Sequence, residues 1–312
     1  MDVRRVAATL GGLYFIWGST FVAVMIGIRS VPPLALTSLR YGIAGALVLV
    51  WARRKEGPLC LSGRQLLDAA IVGFGLLVVG TGTIAWAEQR IPSGLAALLV
   101  ATVPLWTVLL ERTVHGVRVG LTTMLGLVAG LIGVALLLQG GRAVNLVAAS
   151  AVIVASLGWA GASLYARRTT LVARPLTSAG LQMVMAAGLL SVASGASGEL
   201  GRLHPEGISA ASAGAFVYLV VVGSIVGYLS FTWLNGNAPP TLVSTYAYVN
   251  PAVAILLGWL LLGEAIGGRT VLSGAAILSS VVLIVTARSA RARASVLRFP
   301  ARVREAAFSR AA

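Results

Sequence analysis

Cysteine, histidine, lysine and the acids are all scarce in this chain of 312 residues. The single cysteine, Cys60, excludes an internal disulfide. The two histidines, His115 and His204, fall on opposite sides of a membrane once the charges have set the topology, and no metal-site spacing exists. Charged residues make up 11% of the chain, against roughly 25% in a soluble domain whose surface must stay hydrated. No glycine-rich loop follows a strand pattern, so no nucleotide site is expected. A membrane-embedded hydrolase or acyltransferase would need His, Asp, Glu or Cys clustered at one depth to activate water or a nucleophile. That cluster is missing, so the chain is not read as an enzyme, and neither cofactor nor metal is expected.

Hydrophobic residues, by contrast, make up 58% of the chain, and the mean hydropathy is +0.92. They come in runs, at 69–87, 94–110, 121–138 and 271–287 among others. A hydrocarbon core about 30 Å thick takes about 20 helical residues to cross. Helices are expected near 6–28, 34–52, 66–87, 93–110, 119–138, 145–166, 176–195, 209–233, 240–262 and 268–287. The first follows Arg4 and Arg5 like a signal peptide, but it is too long for one and carries Trp17 mid-span, so a retained helix is expected.

The net charge of +15 suggests nucleic acid until the charges are placed. With the N-terminus inside, Arg4, Arg5, Arg53, Arg54, Lys55, Arg64, Arg112, Arg118, Arg167, Arg168 and Arg174 all fall on the cytoplasmic side. So do seven arginines in the tail, whereas the outer loops hold only Arg29, Arg90, Arg142, Arg202 and Arg269. This asymmetry satisfies the positive-inside rule and puts both termini in the cytoplasm. Membrane lipid is then the expected partner of the basic charge, and nucleic acid is not. The tail, 288–312, reads as an anchor against anionic lipid or as a partner-binding segment. Arginine nearly excludes lysine, which suggests a GC-rich bacterial genome and hence a bacterial inner membrane.

The chain also repeats itself. An offset of 142 pairs Trp17 with Trp159, Arg40 with Gln182 and Gly45 with Ala187. An offset of 147 lays the segment Ala85–Pro92 on Thr232–Pro239, Trp86 on Trp233, and Pro104 on Pro251. The expected fold is therefore all-α and integral to the membrane, with ten transmembrane helices in two inverted five-helix repeats, 1–140 and 141–287. An odd number of helices per unit turns the second copy upside down, an arrangement found in secondary transporters.

Several motifs resemble those of a known family. Phe15-Ile16-Trp17-Gly18-Ser19-Thr20-Phe21-Val22, Val31-Pro32-Pro33 and Ser38-Leu39-Arg40-Tyr41 resemble the opening of an EamA-type member of the drug/metabolite transporter superfamily. Ile91-Pro92-Ser93-Gly94-Leu95-Ala96-Ala97-Leu98-Leu99 and Thr102-Val103-Pro104-Leu105 resemble its third-to-fourth helix signature. Tyr246-Ala247-Tyr248-Val249-Asn250-Pro251 and Leu262-Gly263-Glu264 resemble its ninth-helix pattern. The resemblance implies ten helices, cytoplasmic termini, and a central cavity formed by helices one to four and six to nine. It also implies export of small metabolites, amino acids or drugs; a lipid flippase or a non-catalytic scaffold subunit is the alternative.

Within that frame, Arg40 is the one basic residue well inside a predicted helix. Charge at that depth is costly and usually faces a polar interior. It reads either as a binding charge for a substrate carboxylate or as a structural arginine that snorkels outward or bonds helix-end carbonyls. Trp17 and Trp159, with Ser19 and Thr20 nearby, are candidates for a cavity wall, because a buried indole N–H needs a partner. Gln182, Tyr246, Tyr248 and Asn250 complete the candidate small-molecule site, and Asn250 stands out because an amide in hydrocarbon requires hydrogen bonds. Pro104 and Pro251 are candidate hinges, since each frees a backbone carbonyl. Asp68, Glu88, Glu111 and Glu264 all fall near helix ends. That pattern favours an uncoupled carrier, unless a terminal acid such as Glu88 or Glu111 faces a water-filled vestibule.

Overall fold

A computed structural model describes residues 3–116, 120–138, 145–238, 243 and 246–297. Arg118, Arg142, the predicted helix start at Pro239 and Pro240, and the tail beyond 297 lie outside the described residues, as does the side chain of Tyr248.

Among the described residues every regular element is helical. The long rods are α1 (Val3–Gly27) and α2 (Pro33–Lys55), then α3 (Gly63–Ala87) and α4 (Ser93–Val114). They continue with α5 (Leu121–Leu138), α6 (Leu146–Ala166) and α7 (Pro175–Ala196). The last are α8 (Ala210–Asn237), α9 (Tyr246–Leu262) and α10 (Gly268–Leu297). Seven of them, α1 to α4 and α6 to α8, are long and apolar enough to cross a membrane.

Local sequence sets the ends. Pro33 and Pro175 open α2 and α7, where a missing N–H goes unnoticed. Ser62 and Gln65 form a reciprocal capping box at the start of α3. Gly57 and Gly116, which follow α2 and α4, and Gly198 and Gly263, which follow α7 and α9, take positive φ and end those helices.

Burial is inverted relative to a soluble protein. Leu121, Val147 and Val192 stand about 70% or more exposed on the outside, while Arg40, Asp68, Glu88, Gln182 and Asn250 are buried. An apolar exterior needs no water, so the polar groups collect within. Packing pairs α2 with α7, α5 with α10, and α4 with α9. In addition α1 lies along α9 and α8, while α6 lies along α4 and α3. Small residues permit the closest approaches. A Cβ on Gly45 of α2 would lie 2.9 Å from the Met183 Cβ of α7, and one on Gly133 of α5 would lie 2.9 Å from Ile277 of α10.

Two features differ from the sequence expectation. α3 and α8 each pass through a stretch of π-helix, Phe74–Gly82 and Leu219–Tyr228, where the wider winding shifts side-chain register. Glycines there let a tryptophan of the neighbouring helix lie against the backbone: a Cβ on Gly80 would meet Trp159 at 2.8 Å, and one on Gly227 would meet Trp17 at 3.0 Å. The second difference concerns the candidate hinges. Pro104 does not interrupt a continuous helix, because α4 breaks at Ala101 and Thr102 and Pro104 opens its second segment, Val103–His115. Pro251 does lie inside its helix.

Candidate substrate cavity

A cavity of about 760 Å³ opens in the middle of the bundle, walled by residues of α1 to α4, α6, α8 and α9. α7 contributes no side chain to this wall, unlike the arrangement the resemblance implies. It stands behind α2 and reaches the cavity through Gln182, which accepts a hydrogen bond from the cavity-lining Tyr228 hydroxyl.

The floor is aromatic. Trp17 and Trp159 meet edge to face at 5.6 Å, Tyr246 stands edge-on to Trp17 at 5.0 Å, and Phe231 packs on both tryptophans at 4.9 and 5.7 Å. Beyond Phe231 lies a second hollow of about 360 Å³, which shares Tyr228 with the first and holds Ser178, Gln182 and Asn235. Polar side chains are interspersed among the apolar ones on this wall, as in a small-molecule site.

Arg40 projects into the cavity and is 6% exposed. Its Nε donates to the Ser224 hydroxyl at 2.6 Å, and its guanidinium lies 4.9 Å from the centre of the Tyr41 ring. The close approach to α8 depends on Gly223, where a Cβ would lie 3.0 Å from the guanidinium. Arg40 therefore neither snorkels outward nor bonds helix-end carbonyls, and among the described residues no carboxylate pairs with it.

The other candidates divide. Thr20, Trp159, Trp17, Tyr246 and Asn250 line the cavity with Arg40. The Asn250 amide, oriented to suit its neighbours, donates to the Tyr246 and Tyr14 carbonyls at 3.1 Å each. Ser19 is not on the wall: its hydroxyl is engaged with Tyr218 at 2.6 Å and the Ile16 carbonyl at 2.8 Å. Gln182 belongs to the second hollow and donates to Ser178 at 2.8 Å.

The acids separate as sharply. Glu56, Glu199 and Glu264 each accept backbone N–H bonds from the first turn of a distant helix: α7, α2 and α4 respectively. Asp68 pairs with Arg64 at 3.0 Å and accepts from Tyr165 at 2.7 Å. Glu88 does none of this. One residue past α3, it lines the cavity at 2% exposure with no hydrogen-bond partner on either oxygen. Burial first, and the Glu264 carboxylate second, raise its pKa well above the usual carboxylate range. The sequence placed Glu88 at a helix end and offered it, with Glu111, only as an exception facing a vestibule. A signal was available, because the 147 offset equates Glu88 with Asn235, and both residues line hollows. Tyr41 and Thr81, whose hydroxyls bond at 2.8 Å on the cavity wall, were also missed.

An all-helical bundle with an apolar exterior and a central hollow holding isolated polar groups has the build of a membrane carrier. The sequence pattern of the EamA-like transporter family matches the chain twice, over residues 8–139 and 146–286. This protein belongs to that family and is a multi-pass membrane transporter. It is 38% identical over 280 residues to "Uncharacterized inner membrane transporter YedA" of Escherichia coli, covering 88% of this chain and 89% of that one. It is 22% identical over 289 residues to the "Probable amino-acid metabolite efflux pump" of the same species, covering 86% and 91%. A crystal structure of a protein 18% identical superposes with a TM-score of 0.65, covering 90% of this chain and 97% of that one, a likeness of fold.

Proposed function

We propose that this protein is a bacterial inner-membrane carrier that exports small amphipathic metabolites of the amino-acid type by alternating access. In this reading ten helices cross the bilayer as two inverted repeats, 1–140 and 141–287, with both termini cytoplasmic. The observation that carries it is the position of the residues the two offsets equate. Arg40 and Glu88 of the first half line the larger hollow, while their counterparts Gln182 and Asn235 line the smaller one. The equated pair Trp17 and Trp159 touch each other on the floor of the larger hollow and pack on Phe231, which lines the smaller one. Two related halves around an axis through that tryptophan pair would set their hollows on opposite sides of it, as alternating access requires. The helix pairing supports the same axis. α2 on α7, α5 on α10 and α4 on α9 each map onto themselves when the halves are exchanged, and α1 on α9 maps onto α6 on α4. The twofold family match agrees.

The larger hollow faces the side where α2 begins and α3 ends, the outer side in this topology. Arg40 holds the substrate carboxylate there, because a buried guanidinium without a carboxylate partner lowers its energy by taking one. The aromatic floor receives the apolar part, and Pro251 supplies flexibility to α9. Counterflow of labelled L-phenylalanine into proteoliposomes tests the reading. Exchange is expected in the native protein, and Arg40→Gln should lower it by about tenfold or more, the worth of one charged hydrogen bond. Native-level exchange by a folded Arg40→Gln protein would remove Arg40 from the site, and no exchange by the native protein would remove the substrate class.

A further inference from the structure

Arg40 and Glu88 are opposite charges on the wall of one cavity, both more than nine-tenths buried, yet no ion pair joins them. Arg40 has at least the Ser224 hydroxyl; both carboxylate oxygens of Glu88 lack any donor. A bare carboxylate in such surroundings is expensive unless it takes up a proton or a cation. The titratable groups that line the same cavity are Arg40 and Tyr41 from α2, Tyr228 from α8 and Tyr246 from α9, and the Glu264 carboxylate beyond α9 is the charge that acts on Glu88; among the described residues, α1, α4 and α6 present no titratable group to the cavity.

We propose that Glu88 is the cation subsite of this cavity: it accepts the ammonium group of a zwitterionic solute whose carboxylate Arg40 holds, and it gives up a proton in doing so. The inference rests on the carrier reading above and assigns the group that receives the ammonium of its amino-acid-type substrate. The exchange balances in charge. A neutral carboxylic acid loses its proton to solvent, the resulting carboxylate pairs with the ammonium of a solute that is neutral overall, and the cavity's charge falls by the one unit the proton carries away. Proton and ammonium cannot occupy the carboxylate together. Each solute delivered outward therefore leaves Glu88 to be reprotonated from the outer side, and the next solute bound from the cytoplasm releases that proton inward. Export is thereby linked to proton entry, one for one. Burial favours the protonated form of Glu88, and an arriving ammonium is what displaces the proton.

The test uses the purified full-length protein, with quenching of the cavity tryptophans reporting binding and a pH-sensitive dye in weak buffer reporting protons. The probes are L-phenylalanine, 3-phenylpropionate, which lacks the ammonium, and phenethylamine, which lacks the carboxylate. The native protein should prefer phenylalanine to 3-phenylpropionate by about tenfold or more, release about one proton per phenylalanine bound, and lose affinity for phenylalanine as the pH falls. Glu88→Gln, nearly isosteric, should abolish that preference and the proton release while still binding 3-phenylpropionate, and Glu88→Asp should restore both. Unchanged preference and proton release in Glu88→Gln, or phenylalanine binding without proton release in the native protein, would overturn the Glu88 assignment and leave the carrier reading standing. Failure of the native protein to bind any of the three probes would overturn the substrate class, and the Glu88 assignment with it.

Discussion

Glu56→Gln should destabilise the fold more than the matching change at Glu199, although the two carboxylates do the same job at opposite ends of one helix pair. Glu56, just past α2, reaches the first turn of α7 and uses both oxygens. One accepts the Leu176 N–H at 2.8 Å, and the other accepts the Thr177 N–H at 2.9 Å and the Thr177 hydroxyl at 2.7 Å. Arg174 stands 3.9 Å away. Glu199, just past α7, reaches back to the first turn of α2 with a single oxygen, which accepts from Leu34 at 2.8 Å and Ala35 at 3.3 Å. Neither helix has a side-chain cap of its own, so these distant carboxylates satisfy donors that would otherwise be orphaned. Hydrogen bonds to a charged group contribute about 1.5–3 kcal/mol each, and a negative charge at a helix N-terminus about 0.3–1 kcal/mol more. A glutamine at 199 can turn its one oxygen to both donors and forfeits mainly the charge, about 1 kcal/mol. A glutamine at 56 cannot, since its amide NH2 must face an N–H donor, and the loss rises to about 2–4 kcal/mol. Unfolding of the purified protein by SDS in mixed micelles, followed by circular dichroism, measures the difference, with the exposed Glu206→Gln as the reference. Equal losses at 56 and 199, or a Glu56→Gln protein as stable as the reference, would refute the cap as the source of stability.

Two further expectations follow from the packing and the topology. Gly73→Ala should cost about 1–3 kcal/mol in the same assay, because its Cβ would lie 2.6 Å from the Gln182 backbone oxygen on α7, which cannot step aside. Gly12→Ala, with nothing within 4 Å, should be neutral or stabilising by up to about 1 kcal/mol, and equal effects at the two sites would contradict the close α3–α7 contact. Cys60 is exposed in the loop after α2. In the proposed topology, a membrane-impermeant maleimide should label it in inside-out vesicles and leave it untouched in intact cells; labelling of intact cells would reverse the orientation.

Much of this architecture could be read from the chain, because a bilayer makes simple demands. A helix must be apolar for about 20 residues, and its arginines are held on one side. Both rules act locally, and helix ends at Pro33, Pro175, Gly57 and Gly198 obey local steric preferences as well. Trp17, Thr20, Arg40, Trp159, Tyr246 and Asn250 could be nominated for the same reason, since polar or bulky groups at depth are conspicuous against hydrocarbon. Ser19 met that criterion equally, but a hydroxyl's direction depends on which neighbour arrives, and Tyr218 arrived from α8, 199 residues away.

What composition and periodicity determined was the medium, the helical class and a short list of residues expensive to bury. Tertiary structure alone decided which carboxylates are satisfied. Glu56, Glu199, Glu264 and Glu88 all occupy the same kind of place in the sequence, just beyond a helix. Three of them meet the open N–H groups of another helix, and Glu88 meets a cavity. Partners for a charge come from whichever segment packing brings within 3 Å or so, and that proximity is set by the bundle as a whole, not by the neighbours in the chain.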